Sequence, residues 1–227
     1  MAGALITEVL QDFWGEARSC RVASVGLPLP VCGLTFGSAC GELNLCPREM
    51  GLPSGMGGGP SRCASVEVDA LPLPDRSIDR LVLFHVLEYA DSPRDVLREC
   101  WRVLCDSGSL VVIVPNRLGL WATLSDSPYA RGRPLTSTEL ERLVRASLFE
   151  PRRTRHFLYC PPRGVPASCA PWVERIGLQF GGRFGGLMAV ECHKEMAMPV
   201  FVRDCAREAR KARLFVGSPC ARRDLLP

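Results

Sequence analysis

The sequence predicts an α/β protein built on a doubly wound, mostly parallel sheet, and three observations lead there. Strand-sized apolar runs alternate with helical patterns along the chain. Leu110-Val-Val-Ile-Val114 is continuously apolar and rich in β-branched residues, as a central strand covered on both faces requires. Helical spacing precedes it at Val96 to Leu104 and follows it at Leu140 to Val144, which gives the strand–helix order of right-handed crossovers.

The elements can be justified in turn. Leu5, Ile6, Val9, Leu10, Phe13 and Trp14 recur at helical spacing, with Thr7 as a candidate cap, so an amphipathic helix comes first. Cys20 to Val25 reads as the first strand, Gly26 to Pro30 as a turn, and Leu43 to Cys46 as the second strand. Pro47 to Arg62 is rich in glycine and proline and reads as a loop. Ala64 to Val68 is the third strand, and Pro72 and Pro74 hold the following connection extended as far as the fourth, Arg80 to Phe84. Ser92 and Pro93 start a helix with Val96, Leu97, Cys100, Trp101 and Leu104 on one face, and Cys105 to Gly108 end it. A further helix fits Thr136 to Ser147. Arg152 to Tyr159 and Leu187 to Cys192 are the last strands, with one short helix around Trp172 to Ile176 between them.

Composition narrows the class. Hydrophobic residues at 47% and charged residues at 23% are ordinary for a folded domain. No apolar run approaches the roughly 20 residues of a membrane-spanning helix. Glu8, Gln11 and Asp12 interrupt the apolar N-terminal residues, so an export signal is not expected. The twelve cysteines then read as reduced thiols in a cytoplasmic protein; no Cys-x-x-Cys occurs, and no metal site is expected. The net charge of +4 resides between Arg203 and Asp224, where seven basic residues stand against three acidic ones. Residues 1–200 are expected to form the domain, and 201–227 a basic, frayed tail. Phe215 is the tail's lone stacking residue beyond Phe201, which argues against a nucleic-acid surface. Oligomeric state is not specified.

In open parallel sheets ligands sit beyond the carboxyl ends of the strands. Asp69 after the third strand, His85 at the end of the fourth, and Asn116, Arg117 and Trp121 after the fifth are therefore the candidate functional residues. Glu88 and Asp91 suit the start of the next helix.

Three segments, Val66-Glu-Val-Asp-Ala-Leu-Pro-Leu-Pro-Asp-Arg-Ser-Ile-Asp79, Leu81-Val-Leu-Phe-His-Val-Leu-Glu88 and Leu97-Arg-Glu-Cys-Trp-Arg-Val-Leu104, with Gly108 before the next strand, resemble the type 11 methyltransferase domain. That family belongs to the class I S-adenosylmethionine-dependent methyltransferases. The resemblance implies a Rossmann-like seven-stranded sheet, S-adenosylmethionine across the ends of the first four strands, and a small or medium-sized acceptor above strands four and five. It also implies roles. Asp69 would accept a hydrogen bond from the adenine amino group, the Ala70 N–H would donate to a ring nitrogen, and Leu71 would pack on the adenine face. Gly26 and Leu27 would underlie the cofactor. His85 would stand beside its methionine part, in contact with the cofactor and as a candidate catalytic base. Asn116 would face the acceptor as a second catalytic candidate.

The sequence departs from the pattern at two places. The family's Gly-x-Gly-x-Gly turn is replaced by Gly26-Leu-Pro-Leu-Pro30, in which neither proline can donate a hydrogen bond, although Gly26 and Pro30 keep the offset of a compact loop in some relatives. The acid expected to hold the ribose has Glu49 as its nearest counterpart. A catalytically degenerate, methyltransferase-like binding protein is the alternative. An NAD-dependent oxidoreductase is disfavoured, because Gly-x-Gly-x-x-Gly is absent after the first strand.

Overall fold

Alternation along the central strands decides the architecture. In Leu110 to Val114, residues 110, 112 and 114 join one core cluster, while 111 and 113 join another. A strand whose two faces are both fully buried needs cover on both sides. The computed structural model describes residues 2–15, 19–26, 41–50, 62–119, 132–160, 169–180 and 182–195, and shows that cover.

Seven strands form one sheet: β1 (Arg21–Gly26), β2 (Gly41–Pro47), β3 (Arg62–Val66), β4 (Ile78–Phe84), β5 (Leu104–Pro115), β6 (Phe149–Phe157) and β7 (Leu187–Lys194). Their spatial order is β3-β2-β1-β4-β5-β7-β6. The first five lie parallel, and β7 runs antiparallel between β5 and β6. The order reverses between β1 and β4, so the carboxyl ends of those two strands flank the switch point where a ligand can enter.

Helix α1 (Ala2–Trp14) packs Ile6, Val9, Leu10, Phe13 and Trp14 on one face, against Val82, Phe84, Val111 and Ile113. Helices α2 (Pro93–Val103) and α3 (Ser137–Ala146) bury Val96, Leu97, Cys100, Leu140 and Val144 on the other, against Leu81, Leu83, Leu110 and Val112. Each such large side chain contributes roughly 1.5–3 kcal/mol by burial. Helix α4 (Ala170–Phe180) connects β6 to β7 and extends beyond the short helix expected around Trp172.

Helix starts follow local chemistry. Pro93 occupies the first turn of α2, where its missing N–H is not needed. Thr136 caps α3 in a reciprocal box: its hydroxyl accepts from the Glu139 N–H at 3.3 Å, and the Glu139 carboxylate accepts from the Thr136 N–H at 2.8 Å.

Two expectations are corrected. Thr7 is no cap; it lies inside α1, and its hydroxyl donates to the Gly3 carbonyl one turn back. Helix α2 ends at Val103, and Leu104 already pairs with Ile78 in β5. Cys105 to Gly108 do interrupt regular structure, but as a bulge within β5, because the register resumes at Ser109 opposite Arg80. The glycine-rich stretch 51–61, the turn from Leu27 to Pro30 and the basic tail lie outside the described residues.

Among the described residues no helix is long and apolar enough to cross a membrane.

Candidate active site

The switch point is built on one glycine. Gly26 ends β1 opposite Phe84 with φ of 131°, and a Cβ there would stand 1.9 Å from the Phe84 carbonyl oxygen. Glycine is thus required twice over, by backbone conformation and by the approach of β4.

Beside it, β4 ends in strain. His85 adopts φ of 55°, in the left-handed region that a residue with a side chain rarely occupies, while its N–H still donates to the Ile113 carbonyl at 3.1 Å. The turn that follows brings Glu88 back beneath it. Nδ1 of His85 hydrogen-bonds Oε1 of Glu88, and both side chains are at least 95% buried. With Glu88 as a carboxylate, the shared proton sits on Nδ1 and Nε2 is the ring's acceptor atom. The second oxygen, Glu88 Oε2, is buried with no hydrogen-bond partner among the described residues. The Glu88 carbonyl accepts from the Arg133 N–H, and Gly132 sits so close to it that a Cβ would come within 2.9 Å.

A cleft of about 210 Å³ opens beyond β2 and β3, walled by Val66, Val68 and Val96 and edged by Glu49, Asp69 and Asp91. Glu67 on its rim is taken by Arg48 at 2.8 Å. Glu49 and Asp69, by contrast, form no ion pair among the described residues. The volume is below the roughly 300–1,000 Å³ of a whole drug-sized ligand, so it suits one portion of a larger molecule. Valine walls edged by the carboxylates of Glu49, Asp69 and Asp91 suit an aromatic heterocycle carrying an amino group and a sugar carrying hydroxyls. The residues present therefore fit the adenosine part of S-adenosylmethionine.

The predicted site residues separate in this geometry. Asp69 and Glu49 share the cleft. Gly26 and His85 sit together at the switch point, but His85 turns inward to Glu88 and is not on the cleft wall. The Ala70 N–H, expected to face the adenine ring, turns back to the Glu67 carbonyl at 3.3 Å, because residues 67–70 make a tight turn. Leu71, expected on the adenine face, is 4% exposed and belongs to the core below the cleft, where its side chain gains more by burial than at a wall.

Asn116, expected to face an acceptor, is fully buried. Its amide donates to the carbonyls of Arg183 (2.6 Å) and Gly185 (2.8 Å), and its Oδ1 accepts from the Leu118 N–H (3.2 Å), so its polar atoms are spent inside the fold. Arg117 bonds the Pro134 carbonyl and Glu139. Leu27 and Trp121 lie outside the described residues.

Two supporting residues escaped the sequence reading as functional. On α2, Glu99 accepts from the Leu71 N–H at 2.8 Å, and Arg102 donates to the carbonyls of Leu71 (3.0 Å) and Leu73 (2.9 Å). Arg102 also pairs with Glu99 and Asp75, which raises its pKa and lowers that of Glu99. The pair clamps the proline-rich connection that follows Asp69. An acid and an arginine at i, i+3 within the resembling segment were the available signal.

Comparison with known proteins bears on the fold and on the matched segment. A family model described as a methyltransferase domain matches residues 44–112. A probable S-adenosylmethionine-dependent methyltransferase of Mycolicibacterium smegmatis is 37% identical over 82 residues, 35% of this chain and 32% of that protein. Another, from Mycobacterium tuberculosis, is 50% identical over 48 residues, 21% of this chain and 18% of that protein. The matches to these curated relatives thus span about a third of the one and under a fifth of the other. Among solved structures, an S-adenosylmethionine-dependent methyltransferase from Archaeoglobus fulgidus superposes with a TM-score of 0.57 at 17% identity, covering 85% of this chain and 94% of that one. The 1,6-didemethyltoxoflavin-N1-methyltransferase of Burkholderia thailandensis, solved with 1,6-didemethyltoxoflavin and S-adenosylhomocysteine, gives 0.56 at 17% identity over 85% and 78%. Sheet order and the superpositions give this chain the fold of class I S-adenosylmethionine-dependent methyltransferases, and residues 44–112 within it resemble the methyltransferase domain.

Proposed function

We propose that this protein transfers a methyl group from S-adenosylmethionine to a small or medium-sized nucleophile at the carboxyl edge of its sheet. The observation that carries this reading is the pair of carboxylates Glu49 and Asp69, in no ion pair among the described residues, in the cleft beyond β2 and β3 on the same carboxyl edge of the sheet as Gly26. Asp69 would take the adenine amino group and Glu49 the ribose hydroxyls, while Gly26 lets the backbone approach the cofactor. The cofactor supplies an already activated methyl sulfonium. What remains for the protein is alignment of the acceptor and exclusion of water.

In this reading His85, buried at the end of β4, would receive the acceptor's proton through Nε2 once the acceptor reaches the ring, with Glu88 fixing the ring's orientation. Asn116 holds the segment 183–185 at the end of β5 and shapes the acceptor side without touching the reacting atoms. A cytoplasmic setting fits the thiols of Cys46, Cys63, Cys100, Cys105 and Cys192.

Pro28 and Pro30 favour a second reading, a binding protein without turnover, because they remove N–H donors where the family's glycine turn supplies them. Calorimetric titration of the full chain with S-adenosylmethionine tests both. A saturable heat with one site per chain supports the methyltransferase reading; no heat at millimolar cofactor rejects it in favour of the binding protein.

A further inference from the structure

We propose that the outer face of α4, with the turn after it, docks this protein on an anionic lipid bilayer. The proposal is independent of whether methyl transfer occurs. Trp172 is 68% exposed, Phe184 58%, Leu178 41% and Ile176 39%, although large apolar side chains of these types are usually buried. Trp172 and Ile176 stand one helical turn apart and share a stripe. Arg175 and Arg183 are exposed beside them.

The charge pattern selects the occupant. Glu174 is the one acid in this segment, and it points inward: its carboxylate accepts from the N–H groups of Leu158, Tyr159 and Cys160 at 2.6–3.1 Å. Among the described residues of 169–184 the exposed charged side chains, Arg175 and Arg183, are therefore both cationic. Aromatic and aliphatic side chains interleaved with arginines only match a bilayer interface, where rings sit at headgroup depth and guanidinium groups meet lipid phosphates.

The face is also held rigidly outward. Gly177 lies against Tyr159 so closely that a Cβ would stand 2.2 Å from its ring, and the Tyr159 hydroxyl donates to the Gly182 carbonyl at 2.6 Å. The Asn116 amide fixes residues 183 and 185 from the opposite side. Because Leu187 pairs with Pro115 at the carboxyl end of β5, this face lies at the sheet edge that also carries Gly26 and His85. Docking would bring that edge towards the membrane surface.

The test is flotation of the full chain with vesicles of phosphatidylcholine containing 30% phosphatidylserine, against phosphatidylcholine alone. Binding to the anionic vesicles is expected, with each arginine contributing about fivefold in affinity. Arg175→Gln with Arg183→Gln should then weaken binding by about 25-fold. Trp172→Ser with Phe184→Ser should weaken it by at least tenfold, with the melting temperature lowered by no more than a few degrees, since both side chains are mostly exposed. No flotation with the anionic vesicles overturns the proposal. So does flotation that persists in both variants, which would assign binding to the basic residues beyond Arg203. A change of oligomeric state in the serine variant, without loss of flotation, overturns it in favour of a second copy of the chain.

Discussion

The Nδ1 of His85 and the Oε1 of Glu88 meet in the interior, with His85 held in a left-handed backbone conformation to make the contact. Such strain persists only where surrounding structure imposes it, here the bond from the His85 N–H to Ile113 and the turn that returns Glu88. If the pair acts as one unit, Glu88→Gln should lower kcat on the order of 10²-fold with KM for the cofactor unchanged. His85→Ala should lose as much, and the double variant little more, because members of a unit are not additive. Steady-state kinetics of the three variants checks this; an unchanged kcat in Glu88→Gln removes Glu88 from the mechanism.

Gly26→Ala should abolish cofactor binding or folding, because no shift of a flexible side chain relieves a 1.9 Å contact with backbone. Calorimetry beside a melting curve separates the two outcomes. Wild-type affinity in this variant would show that β1 and β4 do not meet as described.

Asp69→Ala should weaken S-adenosylmethionine binding by about 1–3 kcal/mol, roughly 5- to 150-fold, as one or two hydrogen bonds to the adenine amino group are lost. Glu49→Ala should act similarly through the ribose. Titration of each variant measures the dissociation constant; two unchanged values would move the cofactor out of this cleft.

Arg102→Ala tests the clamp. The substitution leaves the carbonyls of Leu71 and Leu73 without their donor and Glu99 without its counter-ion, which should destabilise the protein by about 2–3 kcal/mol. It should also loosen the connection after Asp69, so cofactor affinity falls although Arg102 is not in the cleft. Chemical denaturation and calorimetry on one sample read both effects.

At the opposite end of the sheet, Arg21 forks onto Asp79 through Nε and a terminal nitrogen, and its N–H adds a third bond. The side-chain hydrogen bonds from Arg21 hold the Asp79 pKa down at about 2. A carboxylate with a depressed folded-state pKa stabilises the fold above its unfolded value near 3.9 and loses that contribution as pH falls towards 2. Solvent screening at this partly exposed pair limits the effect to about 1 kcal/mol. Asp79→Asn should therefore flatten the loss of stability between about pH 4 and pH 2, as followed by thermal melts across that range.

Much of the fold was legible in the sequence for a definite reason. Doubly buried strands such as Leu110 to Val114 and amphipathic stripes such as Val96, Leu97 and Cys100 are periodic signals, and all these residues lie in the core. The bulge at Cys105 to Gly108 was read as a break, because a local pattern cannot show that Leu104 already pairs with Ile78. For the candidate site, Asp69 and His85 were singled out from their positions at strand ends and Gly26 through the family resemblance, and all three lie at the carboxyl edge of the sheet. What could not be read was orientation: whether Leu71 faces up or down, and whether the amide of Asn116 points out or towards the Gly185 carbonyl, depends on contacts up to 69 residues away.

The placement of β7 carries a consequence for how the chain assembles. Among the described residues β6 pairs only with β7, and β7 must enter between β6 and the edge of β5, whose backbone N–H and C=O groups are otherwise unpaired. During synthesis, that edge waits for a strand some seventy residues downstream, open to mispairing with neighbouring chains. Shortened versions lacking Leu187 to Lys194 should accordingly clump rather than survive as a smaller domain, and any helper that delays aggregation would act in that interval.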